Sequence, residues 1–390
     1  MNIPVESRPR NIEPDVLRGF ALLGILMVNI PFMALNSDEG VRGEYVVGAP
    51  NSISAFLMAA LFMGKFYLLF SFLFGYSSNY IIRNDRANRG RWLKRCFALI
   101  VLGILHFTLL WHGDILFLYG LFGLLLIPFF FRTDRTLKMW TRVIYGFFSF
   151  VLVVLGALIY IGERFFDGGS ASGTAPSRLD QVLINGSYVD AIGPRFELWT
   201  FGIASGVVLQ GGFAFAAFLL GLRASRNQFL SSQTSDVIIK KLVRVGLYVG
   251  LPIQGLFAFF TVRNELNQPA SEAVFLGATT LAFITAPLLS VGYVGLILRA
   301  IRTRPRLVEW MKSAGKMSLT VYISQSIFTS LIFGPWGLGL FQKLDMWAVM
   351  LTAIGIWLIL VYLSKLWLSR FSQGPLEWLV HALTKNRSKN

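Results

Sequence analysis

Two histidines and an aspartate lie within one strongly apolar stretch, LHFTLLWHGDILFLYG at 105–120. Imidazole titrates near neutral pH, so a neutral His106 or His112 can take a proton from a hydroxyl or an amine. Asp114 follows His106 by eight residues and can orient such a base or balance its charge. Lys65 raises the same question in another apolar run. A charge there costs about 2.5 to 3.5 kcal/mol on insertion scales, so it must face a protein interior, a wet cavity or a partner. Asn29 and the glutamines 210, 254 and 325 add polarity in mid-run, as residues around a polar interior cavity would.

Apolar runs must position these groups. The chain has 390 residues, 55% of them hydrophobic and only 14% charged, with a mean hydropathy of +0.60. Runs of about 20 residues can each cross a hydrocarbon layer of ~30 Å at ~1.5 Å per residue. Ten such runs are expected near 17–35, 52–79, 93–111, 115–131, 142–162, 197–222, 242–262, 273–298, 316–334 and 346–369. Continuous runs of this length read as helices, because barrel strands would be about ten residues long with alternating polarity. The expected fold is all-α, a single polytopic membrane helix bundle over residues 1–390. A polar arm (1–16), a long external loop (163–196) rich in Gly, Ser, Asp and Asn, and a tail (371–390) complete it.

Most of the 36 basic residues fall in alternate loops and at the two ends, which places both termini in the cytoplasm. The same distribution assigns the net charge of +16 to membrane topology and not to nucleic acid. The single cysteine, Cys96, excludes an internal disulfide. The rise along the third run places His106 roughly 20 Å above Leu93, and that along the first places Asn29 roughly 16 Å above Arg18. Both then lie toward the outer face, and a water-accessible chamber walled by His106 is expected there.

Each of these residues also has a plainer role open to it. Asp114 suits an N-cap, His112 suits a solvated outer turn, Lys65 suits an ion pair or snorkelling, and the glutamines suit helix-to-helix bonds. The basic stretch RNDRANRGR at 83–91 can hold phosphates or touch anionic lipid. The sequence contains no G-x-x-x-x-G-K-[ST] loop, no H-E-x-x-H motif or Cys/His metal cluster, and no G-x-S-x-G elbow.

RGFALLGILMVN at 18–29, FYLLFSFLFG at 66–75, LGILHFTLLWHGDILFLYG at 102–120, GKMSLTVYISQS at 315–326 and FSQGPLEWL at 371–379 together resemble the YeiB family of bacterial membrane proteins. The resemblance spans nearly the whole chain in the right order. It implies a multi-pass protein of the bacterial inner membrane. That family is grouped with membrane acyltransferases, including the heparan-alpha-glucosaminide N-acetyltransferase type. The resemblance therefore implies transfer from a cytoplasmic acyl-CoA, such as acetyl-CoA, to a hydroxyl or amine acceptor outside. The acceptor could be a cell-envelope sugar, a lipid headgroup or a secreted metabolite. In that group a histidine at the outer end of the first helix unit is central; here the stretch after Asn29 reads IPFMALNSDEG and has none. Under this reading His106 is the base, with His112 in reserve and Asp114 as its orienting carboxylate. Asn29 or Lys65 would stabilise the oxyanion, and Arg18, Arg95 and Arg91 would hold the phosphates of coenzyme A. No metal is expected. A transporter or flippase with Lys65, His106 and Asp114 along its path is the alternative.

Overall fold

The computed structural model describes residues 11–165, 177–267 and 269–384. Every regular element among them is helical. In chain order the α-helices are α1 (Glu13–Ala34), α2 (Ala49–Leu61), α3 (Phe66–Ile82), α4 (Arg89–Leu109), α5 (Leu116–Leu125) and α6 (Asp134–Phe165). They continue as α7 (Arg178–Asn185), α8 (Ile192–Gly206), α9 (Gly212–Arg226), α10 (Asp236–Arg244) and α11 (Leu251–Leu266). The last five are α12 (Glu272–Thr303), α13 (Pro305–Lys316), α14 (Ser318–Phe333), α15 (Met346–Leu368) and α16 (Pro375–Thr384).

Eight spans among the described residues are long and apolar enough to cross a membrane, and the fourth and ninth apolar runs form the shorter helices α5 and α14. The protein is an all-α polytopic membrane bundle. Its outward-facing side chains are those of a lipid-facing surface: Phe150 on α6 and Phe201 on α8 are 68% and 80% exposed. Only Leu137 and Leu152 are buried along all of α6, which places that helix at the periphery. At the centre lies α1, packed against α3, α13, α14 and α15. Gly315 and Gly19 let α13 approach within backbone contact, since a Cβ at Gly315 would collide with the Asp15 carbonyl.

Several features depart from uniform spans. The second run breaks between α2 and α3 at Gly64, whose φ of +79° suits glycine. Two spans carry π-turns, Val207–Gly211 between α8 and α9 and Val245–Gly250 between α10 and α11. The fourth run stops short because Pro128 closes a 3-10 turn, Ile127–Phe129, after α5. The stretch 163–196 contains the end of α6, all of α7 and the start of α8, with 166–176 outside the described residues. Within the tail 371–390, α16 forms an ordered helix that packs on α4 and α14. Residues 1–10 of the arm lie outside the described residues, and α1 begins at Glu13.

Candidate active site

The last turn of α4 brings His106 into the bundle, where its side chain is fully buried. Its Nδ1 lies 2.8 Å from Asp114 Oδ1, and its Nε2 lies 2.8 Å from Ser326 Oγ on α14. A carboxylate can only accept, so this network puts the ring proton on Nδ1 and lets the Ser326 hydroxyl donate to Nε2. The second Asp114 oxygen accepts from the Phe117 backbone N–H at 2.7 Å and so caps α5. Orienting carboxylate and helix cap are therefore one residue with two oxygens at work. Gly103, one turn before His106, makes room for it: a Cβ there would strike the Phe117 amide and Asp114 Oδ2.

Ser326 is held from several sides. Next to it, Gln325 donates to the Leu22 carbonyl of α1 at 3.0 Å. Thr329 donates to the carbonyls of Gln325 and Ser326, which anchors the turn. The Tyr322 ring lies 5.1 Å from the imidazole, centroid to centroid, and its hydroxyl accepts from the Ile115 amide. The line Asp114–His106–Ser326 has the order of partners that activates a hydroxyl for acyl transfer.

A cavity of about 30 Å³ opens on Ser326. Its wall includes Phe32 of α1, Trp111, His112, Leu179 of α7, Arg195 of α8 and Thr329. That is room for a water molecule or two. His106 itself is not on the wall; it is sealed behind Ser326, and His112 is the histidine that faces the cavity. The expected chamber is one walled by His106; the cavity opens on Ser326 instead, and the ring lies one layer deeper, sealed from it. Both of its nitrogens are already bonded inside the protein.

The rest of the wall carries unmet polarity. The Trp111 Nε1 and His112 Nδ1 atoms are buried with no partner. Desolvation pushes His112 down to about 4 and the Arg195 charge adds to this, against a raising hydrogen bond from the Ser37 backbone. Arg195 donates to the Leu109 carbonyl at 2.8 Å and lies 5.2 Å from both the Tyr188 and Trp336 rings. Over the cavity sits α7. Ser177 caps it, and its Asp180 accepts from the Ser37 amide at 3.0 Å, while the Ser37 and Ser177 hydroxyls pair at 2.8 Å.

Among the remaining candidates, Lys65 is fully buried and donates to the Ala59 carbonyl at 2.7 Å. The bond satisfies a carbonyl in the last turn of α2. That bond places it at the α2–α3 break and outside the His106 network. Asn29 is half-buried on α1 and neither lines the cavity nor makes a hydrogen bond among the described residues. Arg18 is engaged by Asp15 at 2.8 Å and by Ser77. Arg91 and Arg95 do come together, in a second pocket of about 310 Å³ that also takes in Lys316, Ser318, Glu377 and His381. Arg95 Nε is buried there without a partner. Glu377 of α16 accepts from the Leu319 and Thr320 amides and the Thr320 hydroxyl, capping α14. Among the described residues no group of three or more His, Cys, Asp or Glu could hold a metal ion.

Sequence reasoning missed Ser326, Trp111 and Arg195. Ser326 stood beside Gln325 in the stretch GKMSLTVYISQS, but a serine in a membrane helix is ordinarily a helix-joining residue.

Residues 224–387, which include Ser326, match a family described as "Protein of unknown function (DUF418)". Over nearly the full chain the protein is 28% identical to YxaH of Bacillus subtilis strain 168, across 95% of this chain and 93% of the relative. It is 29% identical to YeiB of Escherichia coli strain K12, across 96% of each. A 39.9 kDa protein from the amylase 3' region of Bacillus acidopullulyticus is 28% identical across 96% of this chain. The family match over the C-terminal part and the nearly full-length relatives agree: the chain is similar to DUF418 proteins of unknown function and to YeiB and YxaH, and its own fold is an all-helical membrane bundle.

Proposed function

We propose that this protein is an acyltransferase of the bacterial inner membrane. It moves an acyl group from a cytoplasmic acyl-CoA to a hydroxyl or amine acceptor outside. The observation that carries the reading is the buried Asp114–His106–Ser326 line abutting a cavity. Asp114 holds the ring and balances the imidazolium that forms when His106 Nε2 accepts a proton. Water exclusion strengthens both interactions.

The donor end of the reading rests on the Arg91–Arg95–Lys316 pocket. Guanidinium groups match phosphate oxygens in a planar fork, and Arg91 and Arg95 both line this pocket. The helix α14 links the two places: Ser318 lines the basic pocket, and Ser326 lies about 12 Å further along the axis. An acyl-CoA lying with its phosphates among the arginines would direct its thioester arm along that helix. The saturation of the His106 ring by fixed partners favours chemistry over a transport path, where such groups would meet the substrate directly.

Isothermal titration of purified protein with acetyl-CoA tests the reading. Saturable binding that weakens with salt, and with Arg91→Ala or Arg95→Ala, is the expected result. No heat at millimolar acetyl-CoA would overturn it.

A further inference from the structure

The relay has three members, and among them Ser326 alone reaches the cavity. The His106 nitrogens are both occupied, one by Asp114 and one by Ser326 itself. An acceptor entering the cavity therefore meets the serine hydroxyl before it can meet the base. A general base serving an external hydroxyl directly would need its Nε2 open to that hydroxyl.

We propose that Ser326 is the nucleophile and carries a short acyl group as a covalent ester between the two faces of the membrane. This rests on the acyltransferase reading above. In the first half-reaction Ser326 Oγ attacks the thioester carbonyl, and its proton passes to His106 Nε2. The Oγ–acyl bond forms, the C–S bond breaks, and the coenzyme A thiolate leaves with the proton from His106. In the second half-reaction an acceptor hydroxyl or amine attacks the ester carbonyl. His106 takes the acceptor's proton and returns it to Ser326 Oγ as the ester bond breaks.

Two further observations support the covalent form. The cavity of about 30 Å³ does not hold a thioester and an acceptor together, so the two substrates use it in turn. The same volume sets the substrate class: an acetyl-sized group fits, and a long fatty chain does not. The wall also presents a donor for the developing oxyanion. Trp111 lines the cavity, and its indole N–H is buried without a partner, which leaves it able to turn to an oxyanion formed there. It takes the role that sequence reasoning gave to Asn29 or Lys65.

Detergent-purified protein incubated with acetyl-CoA labelled in the acetyl group, without acceptor, tests the proposal. The expected result is a burst of one free coenzyme A per chain. One acetyl group should survive denaturation and map by peptide mass spectrometry to Ser326. Ser326→Ala should lose the label and lower turnover on the order of 10³-fold while still binding acetyl-CoA and keeping the wild-type elution profile. Ser326→Cys should keep the label as a thioester that neutral hydroxylamine removes, which separates loss of the nucleophile from loss of fold. Palmitoyl-CoA should leave the serine unlabelled. Acetyl-CoA binding with turnover but no label, or label on another residue, would overturn covalent carriage and leave the acyltransferase reading standing. Equal labelling by palmitoyl-CoA would overturn the short-chain assignment. Absence of acetyl-CoA binding and of coenzyme A release would remove both the proposal and the reading beneath it.

Discussion

The two ends of α14 solve opposite problems. At its N-terminus lies a pocket of about 310 Å³ walled by Arg91, Arg95, Lys316 and Glu377. Toward its other end lies a cavity one-tenth that size, beside a serine whose hydroxyl already touches a buried imidazole. In the first, charge is spread over several side chains around an open pocket, so that no single contact decides binding. In the second, polar groups are few, dry and fixed by hydrogen bonds of 2.7 to 2.8 Å, so losing one partner strands another. Attraction for a phosphate tolerates loose geometry, whereas moving a proton between defined atoms does not.

That contrast is sharpest at Asp114. Asp114→Asn keeps an oxygen for the Phe117 amide but no longer holds the histidine as a carboxylate does. Turnover should fall by about 10³- to 10⁴-fold with the helix content and elution profile unchanged, as steady-state kinetics and circular dichroism would show. A comparably large effect from any single arginine of the basic pocket would erase the distinction between the two ends.

His112 marks the dry end by its pH dependence. Its pKa is lowered from 6.5 to about 4, so between those values the unfolded chain binds the proton and the folded one does not. Stability is then complete above pH 6.5 and drains away as the pH falls toward 4, by on the order of 2–3 kcal/mol. Thermal unfolding in detergent across that range should show the decline, and His112→Gln should flatten it. An unchanged slope in the variant would mean that the cavity wall is wetter than its burial implies.

Gly103→Ala probes how closely α5 must approach α4. The new methyl group would press on Asp114 and Phe117, and overpacking of this kind costs about 1–3 kcal/mol. A lowered unfolding temperature together with reduced turnover is expected; loss of stability with full activity would separate the helix contact from the relay. The smallest effect belongs to the basic pocket. Arg95→Ala should raise the KM for acyl-CoA about tenfold with kcat unchanged, and added salt should shrink the difference, because one charge-assisted contact among several is lost.

Much of this molecule was legible before any coordinates. His106 and Asp114 stood out because titratable groups are costly in an apolar run, and they proved to be bonded to each other across the α4–α5 turn. Their eight-residue separation made that meeting local. Lys65 stood out for the same reason, but its cost is met within its own span, by the Ala59 carbonyl six residues earlier. Serine costs little in a membrane helix, so Ser326 gave no comparable signal, although it completes the relay from 220 residues away. Asn29 lies near the same end of α1 as Phe32 and Met33, which line the cavity, yet helix depth alone does not tell which way a side chain turns.

Length, hydropathy and charge alternation by themselves determined that the chain crosses the membrane many times as helices, because lipid offers the backbone no other partner. They also determined where unusual polarity would have to be accommodated. Only the tertiary structure decided which helix faces which. It brought α14 against α4, put Ser326 in front of His106 and not beside it, and made Trp111 and Arg195 part of the wall. Periodicity records the depth and face of each residue along its own helix, but neighbours across the bundle are chosen by packing between helices distant in sequence.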